Sequence, residues 1–194
     1  MGVHAVFLVG FMASGKSSVG RELARRLNWD FVDLDARIES RERQTVPEIF
    51  RDRGEPGFRL AETSALRDLL TEPLTRNRVV ALGGGAFVQE RNRELLRQWP
   101  SVFLEATVPE LWQRSLTDGV ERPLREDPEQ FGKLYAERLP FYRQASVVIE
   151  TTGKELAAIC VEIAGALQLR GKSEDARSGL SRMDVTGFGT GESQ

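Results

Sequence analysis

A chain of 194 residues, 40% apolar and 29% charged, is long enough for one well-buried domain and has the composition of an ordinary globular protein. A formal net charge of −2 argues against the basic surface that a nucleic-acid or anionic-membrane partner requires, so neither partner is expected. The single cysteine excludes an internal disulfide, no apolar run reaches membrane-spanning length, and the N-terminus lacks the basic segment of a secretion signal; a cytoplasmic monomer is expected.

Residues 5–9, Ala-Val-Phe-Leu-Val, form the short apolar run of a buried parallel strand. Gly10-Phe11-Met12-Ala13-Ser14-Gly15-Lys16-Ser17 follows and fits the phosphate-binding pattern G-x-x-x-x-G-K-[ST]. Val19, Leu23 and Leu27 then recur every four residues, which predicts a helix over residues 17–27. At ordinary residue usage, a chance match in a chain of this length has a probability of about 1%. Glycines in such a loop let successive N–H groups turn inward around an anion, and the helix start adds its positive dipole end. Lys16 is placed to reach the β- and γ-phosphates, and the Ser17 hydroxyl is a hard oxygen ligand suited to Mg²⁺.

A second strand at residues 31–32 runs into Asp33-Leu34-Asp35. On an extended segment these two carboxylates point the same way, one toward Mg²⁺ and the other toward a substrate hydroxyl. Asp35 also has the position of an N-cap for a helix starting at Ala36. Residues 38–70 read as charged helix broken at Gly54-Glu55-Pro56-Gly57, with Thr45 as a cap and Pro47 in a first turn. Arg59 stands just after the break; a guanidinium suits a carboxylate, and on spacing alone Glu55 and Glu62 are equally good partners. A third strand at residues 79–82 ends in Gly83-Gly84-Gly85, which fits either a close approach of backbone to ligand or a plain turn.

Strands at 102–104 and 146–149 complete an alternation of strands and helices, which predicts an α/β fold: a five-stranded parallel sheet with helices on both faces. Between them, helix at 111–116 leads into a polar stretch at 117–125, either a mobile lid carrying an arginine or a surface loop. The next helix is expected to stop near Arg138-Leu139-Pro140. A closing helix over 154–169 places Leu156, Ile159, Cys160, Ile163, Ala164 and Leu167 on one stripe, so Cys160 reads as core. His4, the single histidine, reads as structural or solvated. From Gly171 the composition turns glycine-rich and polar, so residues 1–170 are expected to form the domain and 171–194 a disordered tail.

Taken together, Gly-Phe-Met-x-x-Gly-Lys-Ser, Asp-Leu-Asp-x-x-Ile-Glu, Gly-Glu-x-x-Phe-Arg-x-x-Glu, the triple glycine, Arg-Pro-Leu and Arg-x-Pro-x-Tyr resemble the shikimate kinase family over about residues 5–167. The resemblance implies a P-loop NTPase fold of the nucleoside-monophosphate-kinase type, with phosphoryl transfer from ATP to the 3-hydroxyl of shikimate in the presence of Mg²⁺. It implies an ATP-phosphate loop of Ala13, Ser14, Gly15, Lys16, Ser17 and Ser18, metal contacts from Ser17 and Asp33, and Asp35 at the substrate hydroxyls. Arg59, Arg138 and the Gly84 backbone would hold shikimate within a helical insert at about 33–62. Arg122 would close over the phosphates from a lid at about 117–128. Leu82 stands where many members have Thr, Ala13-Ser14 where Gly-Ala is common, and Arg125 where Leu is usual. The rival readings are a gluconate or nucleoside-monophosphate kinase, or a nucleotide-binding module without catalysis; the absence of Asn-Lys-x-Asp argues against a GTPase switch.

Overall fold

The computed structural model describes residues 3–73, 75–117 and 127–169. Strands β1 (Ala5–Val9), β2 (Asp30–Asp33), β3 (Arg78–Ala81), β4 (Ser101–Glu105) and β5 (Val147–Glu150) form one parallel sheet in the order β2-β3-β1-β4-β5. Side chains of β1 alternate between two cores. Phe7 and Val9 belong to one, Val6 and Leu8 to the other, and all four are buried. A central strand covered on both faces reads as an unbroken apolar run for this reason.

Helices α1 (Lys16–Leu27) and α7 (Leu156–Ala166) cover one face, with Val19, Leu23, Ile159, Cys160 and Ile163 in its core. The opposite face is covered by α2 (Leu34–Glu42), α3 (Val46–Thr71), α5 (Val108–Thr117) and α6 (Pro128–Tyr142), through Ile38, Ile49, Leu66, Leu111 and Phe131; α4 (Glu90–Leu95) links β3 to β4. The expected sheet with helices on both faces is the one observed. Strand β1 lies between β3 and β4, so the chain leaves it in opposite directions and a crevice opens at its carboxyl end. Register places Asp33 and Leu8 beside Ala81, and Val9 beside Phe103, so the strand ends meet at one level.

Local signals explain several boundaries. The Thr45 hydroxyl accepts from the Glu48 N–H, and the Glu48 carboxylate accepts from the Thr45 N–H at 2.7 Å, a reciprocal cap at the start of α3 with Pro47 in its first turn. Gly54, at φ 65° and ψ −179°, divides α3, and Pro56 then falls in the first turn of the second segment. Helix α6 does not stop at Pro140 as expected; it continues to Tyr142. An internal proline removes one hydrogen bond and crowds the preceding turn. Here the turn is held from beyond it: Tyr142 is fully buried, stacks on Phe103 at 5.3 Å, and donates its hydroxyl to the Gly84 carbonyl.

Helix α7 is shorter than its apolar stripe suggested, and Leu156, 38% exposed, leaves the core. Cys160 is core as expected: it is buried against α1, and desolvation pushes its thiol up. The exposed His4 ring lies 3.1 Å from Asn77 Oδ1, a surface contact between the starts of β1 and β3. The tail at 171–194 and most of the expected lid, including Arg122 and Arg125, lie outside the described residues. Among the described residues no helix is long and apolar enough to cross a membrane.

Candidate active site

The carboxyl ends of β1, β2 and β3 border a cleft of about 1640 Å³, lined by Met12 to Val19, Asp33, Asp35, Leu82, Gly83 and Gly84 among others. Gly15 takes φ 85°, a left-handed conformation that turns the loop into α1. No side chain caps α1 and no acidic residue occupies its own first turn, so its leading N–H groups are left for a ligand in the cleft. Ala13 has φ 59°, which accounts for the glycine common there in relatives of this motif; alanine carries a cost of about 1 kcal/mol in that region. The Lys16 ammonium folds into the loop mouth, donating to Gly10 O at 3.0 Å and Phe11 O at 2.7 Å. These are contacts that an arriving polyanion can replace.

Asp33 and Asp35 differ from the sequence expectation. They do not share an extended segment, because α2 begins between them at Leu34. Asp33, not Asp35, is the cap: its Oδ1 accepts the Asp35 N–H at 3.1 Å, while its Oδ2 accepts the Ser17 hydroxyl at 2.9 Å. Asp35 sits in the first turn of α2, and both residues line the cleft. Ser17 and Asp33 thus present two hard oxygens side by side next to the loop. That donor set fits a Mg²⁺ ion shared with phosphate oxygens, which needs only one or two protein ligands. Among the described residues no group of three His, Cys, Asp or Glu side chains could hold a metal alone.

A second charged group lies behind the triple glycine. Arg59 contacts both carboxylates that its spacing allowed, Glu55 Oε1 at 3.0 Å and Glu62 Oε2 at 3.1 Å, with its guanidinium also over the Phe58 ring. Glu62 is fully buried. Burial is the largest influence on it and pushes its carboxyl up to about 7, against the opposing pull of Arg59; Asp35 raises it further and Arg138 lowers it. Glu62 therefore feels Asp35, Arg59 and Arg138, although Arg59 and Arg138 do not line the cleft itself. The glycines permit this density by close approach. A Cβ on Gly83 would fall 2.6 Å from Asp35 Oδ1, and one on Gly85 would fall 2.3 Å from Arg59 Nη2. Gly84 and Gly85 do form a turn, and Gly83 and Gly85 are packed against Asp35 and Arg59 of the chain itself.

Glu62 and Tyr142 were named in the motifs but given no part in the site. Glu62 was detectable as the i+3 neighbour of Arg59 on a helix. Tyr142 is the i+4 neighbour of Arg138, a relation hidden by the expectation that Pro140 ends the helix.

The family model described as shikimate kinase matches residues 12–168. A shikimate kinase of Geobacter metallireducens is 44% identical over 172 residues, covering 87% of this chain and 94% of the relative. One of Thermus thermophilus is 40% identical over 162 residues, covering 81% and 86%. Among solved structures, shikimate kinase from Acinetobacter baumannii in complex with shikimate has a TM-score of 0.78 at 38% identity, covering 86% of this chain and 93% of that one. Shikimate kinase from Aquifex aeolicus has a TM-score of 0.74 at 32% identity, covering 84% and 96%. The parallel sheet, its switch-point crevice and the phosphate loop at the head of α1 define a P-loop kinase. Within that class, the chain belongs to the shikimate kinase family.

Proposed function

We propose that this chain transfers the γ-phosphoryl group of ATP to the 3-hydroxyl of shikimate, yielding ADP and shikimate 3-phosphate. The observation that carries this reading is the juxtaposition of an open phosphate loop with Arg59, paired to the buried Glu62, and Asp35 across Gly83. A nucleotide acceptor would need a base pocket, whereas this set suits a small hydroxylated acid.

In this reading the backbone from Ala13 to Ser18 holds the ATP phosphates, and Lys16 moves from the loop carbonyls to the transferring group. Ser17 and Asp33 would hold Mg²⁺, which when bound neutralises charge on the phosphates. Arg59, Arg138 and the Gly84 backbone hold the acid. Asp35 orients the attacking hydroxyl and accepts its proton as the new oxygen–phosphorus bond forms and the bond to the ADP oxygen breaks. Arg122 closes over the phosphates, and the insert at about 33–62 and lid at about 117–128 exclude water. A cytoplasmic monomer belongs to the same reading.

The test is ADP release by the purified protein with ATP and Mg²⁺, in the presence of shikimate, gluconate or AMP. Release that depends on shikimate and is lost in Asp35→Asn is the expected result. Release with gluconate or AMP instead would overturn the substrate assignment.

A further inference from the structure

Arg138 and Tyr142 share one face of α6 because the helix continues through Pro140. The Tyr142 hydroxyl donates to the Gly84 carbonyl, and Arg138, one turn earlier on the same face, places its positive charge near that hydroxyl. The ring is fully buried and stacked on Phe103 of β4, so the hydroxyl is held by the sheet and not by the loop it contacts. Three consecutive glycines leave a backbone with unusual freedom. One tether on the Gly84 carbonyl sets the Gly84–Gly85 peptide plane, and Gly85 in turn abuts the Arg59 guanidinium.

We propose that Tyr142 is a positioning residue of the acid-binding site, its hydroxyl fixing the Gly84–Gly85 peptide and, through that peptide, the place of the Arg59 guanidinium. The proposal rests on the reading in which Arg138, Arg59 and Gly84 hold the substrate acid. Tyr142 touches none of the reacting groups; it acts by fixing those that do. Burial pushes its hydroxyl up to about 12, so it remains a donor across the working range of the enzyme.

Tyr142→Phe removes the hydroxyl and keeps the stacked ring. Steady-state kinetics of this variant should show the KM for shikimate raised roughly 5- to 30-fold, the range expected when a half-buried carbonyl in the site loses its donor. The KM for ATP should stay within about two-fold, and the shikimate effect should be the same from about pH 6 to about pH 9, because no titration is involved. A KM for shikimate within two-fold of wild type overturns the proposal, as does an equal rise in both KM values, which would indicate general loosening. Wild-type turnover with shikimate is measured alongside; if it is absent, the substrate assignment falls and Tyr142 loses this role with it.

Discussion

The two halves of the proposed site are built on opposite principles. The phosphate loop is contiguous in sequence, acts largely through backbone N–H groups, and keeps its one cation on carbonyls at its mouth. The half proposed to bind the acid gathers Asp35, Arg59, Glu62 and Arg138 from α2, α3 and α6, and consists of charged side chains, one of them fully buried. A site made of backbone needs glycines for conformation; a site made of buried charge needs them for room. Gly15, at φ 85°, is of the first kind, and Gly85, whose own φ of −103° suits any residue, is of the second.

The sharpest separation comes from removing one cation from each half. Lys16→Ala should lower kcat roughly 100- to 1000-fold, as loss of a preorganised charge stabiliser does, with little change in thermal stability. Arg59→Ala should reverse that balance. It leaves Glu62 buried without its main partner, costing about 3 kcal/mol of stability, and the double variant Arg59→Ala/Glu62→Gln should recover most of it. Thermal melts beside steady-state kinetics read both effects, and equal destabilisation by the two single variants would break the contrast.

Smaller effects are expected from a methyl group added to each kind of glycine. Gly85→Ala would push its Cβ into the Arg59 guanidinium and should raise the KM for shikimate about 10-fold while sparing that for ATP. Gly15→Ala meets only an ordinary contact, Val19 Cγ2 at 4.0 Å, but is strained by about 1–2 kcal/mol in its left-handed backbone, and should raise the KM for ATP instead. Finding the two effects exchanged, or shared, would show that the halves are not separable.

The smallest effect is on pH. The folded Glu62 carboxyl sits at about 7, above its ordinary 4.5, so the folded state holds that proton more firmly than the unfolded chain does. Its contribution to stability is therefore complete below about pH 4.5 and is lost as pH rises through about 7. Ionised Glu62 also neutralises Arg59 and repels an arriving carboxylate. The KM for shikimate should accordingly fall about 3-fold from about pH 8 to about pH 6. A Glu62→Gln variant that keeps the same profile would assign the inflection to another group.

Much of the framework was legible because its causes are local. An apolar run, a glycine-lysine-serine turn and a four-residue apolar repeat place β1, the loop and α1 without reference to the rest of the chain. Thr45, Glu48 and Pro47 mark the start of α3 for the same reason. Asp33 and Asp35 show where local reasoning fell short. Their spacing was right for a strand, but Ile38 and Leu34 are drawn into the core, α2 starts early, and the cap passes from one carboxylate to the other.

By itself, then, the sequence determined the parallel α/β sheet and the phosphate loop with Lys16 and Ser17, since these follow from side-chain period, turn chemistry and adjacent neighbours. Only the tertiary structure decided that Arg59 bridges Glu55 and Glu62, that Glu62 is buried deeply enough to titrate near 7, and that α6 passes Pro140 to set Tyr142 under Gly84. Those outcomes depend on desolvation and on contacts between segments far apart in the chain, such as Tyr142 and Gly84, which are separated by 58 residues. Burial, which local pattern does not specify, sets the charge state and the anchoring of the groups that meet there.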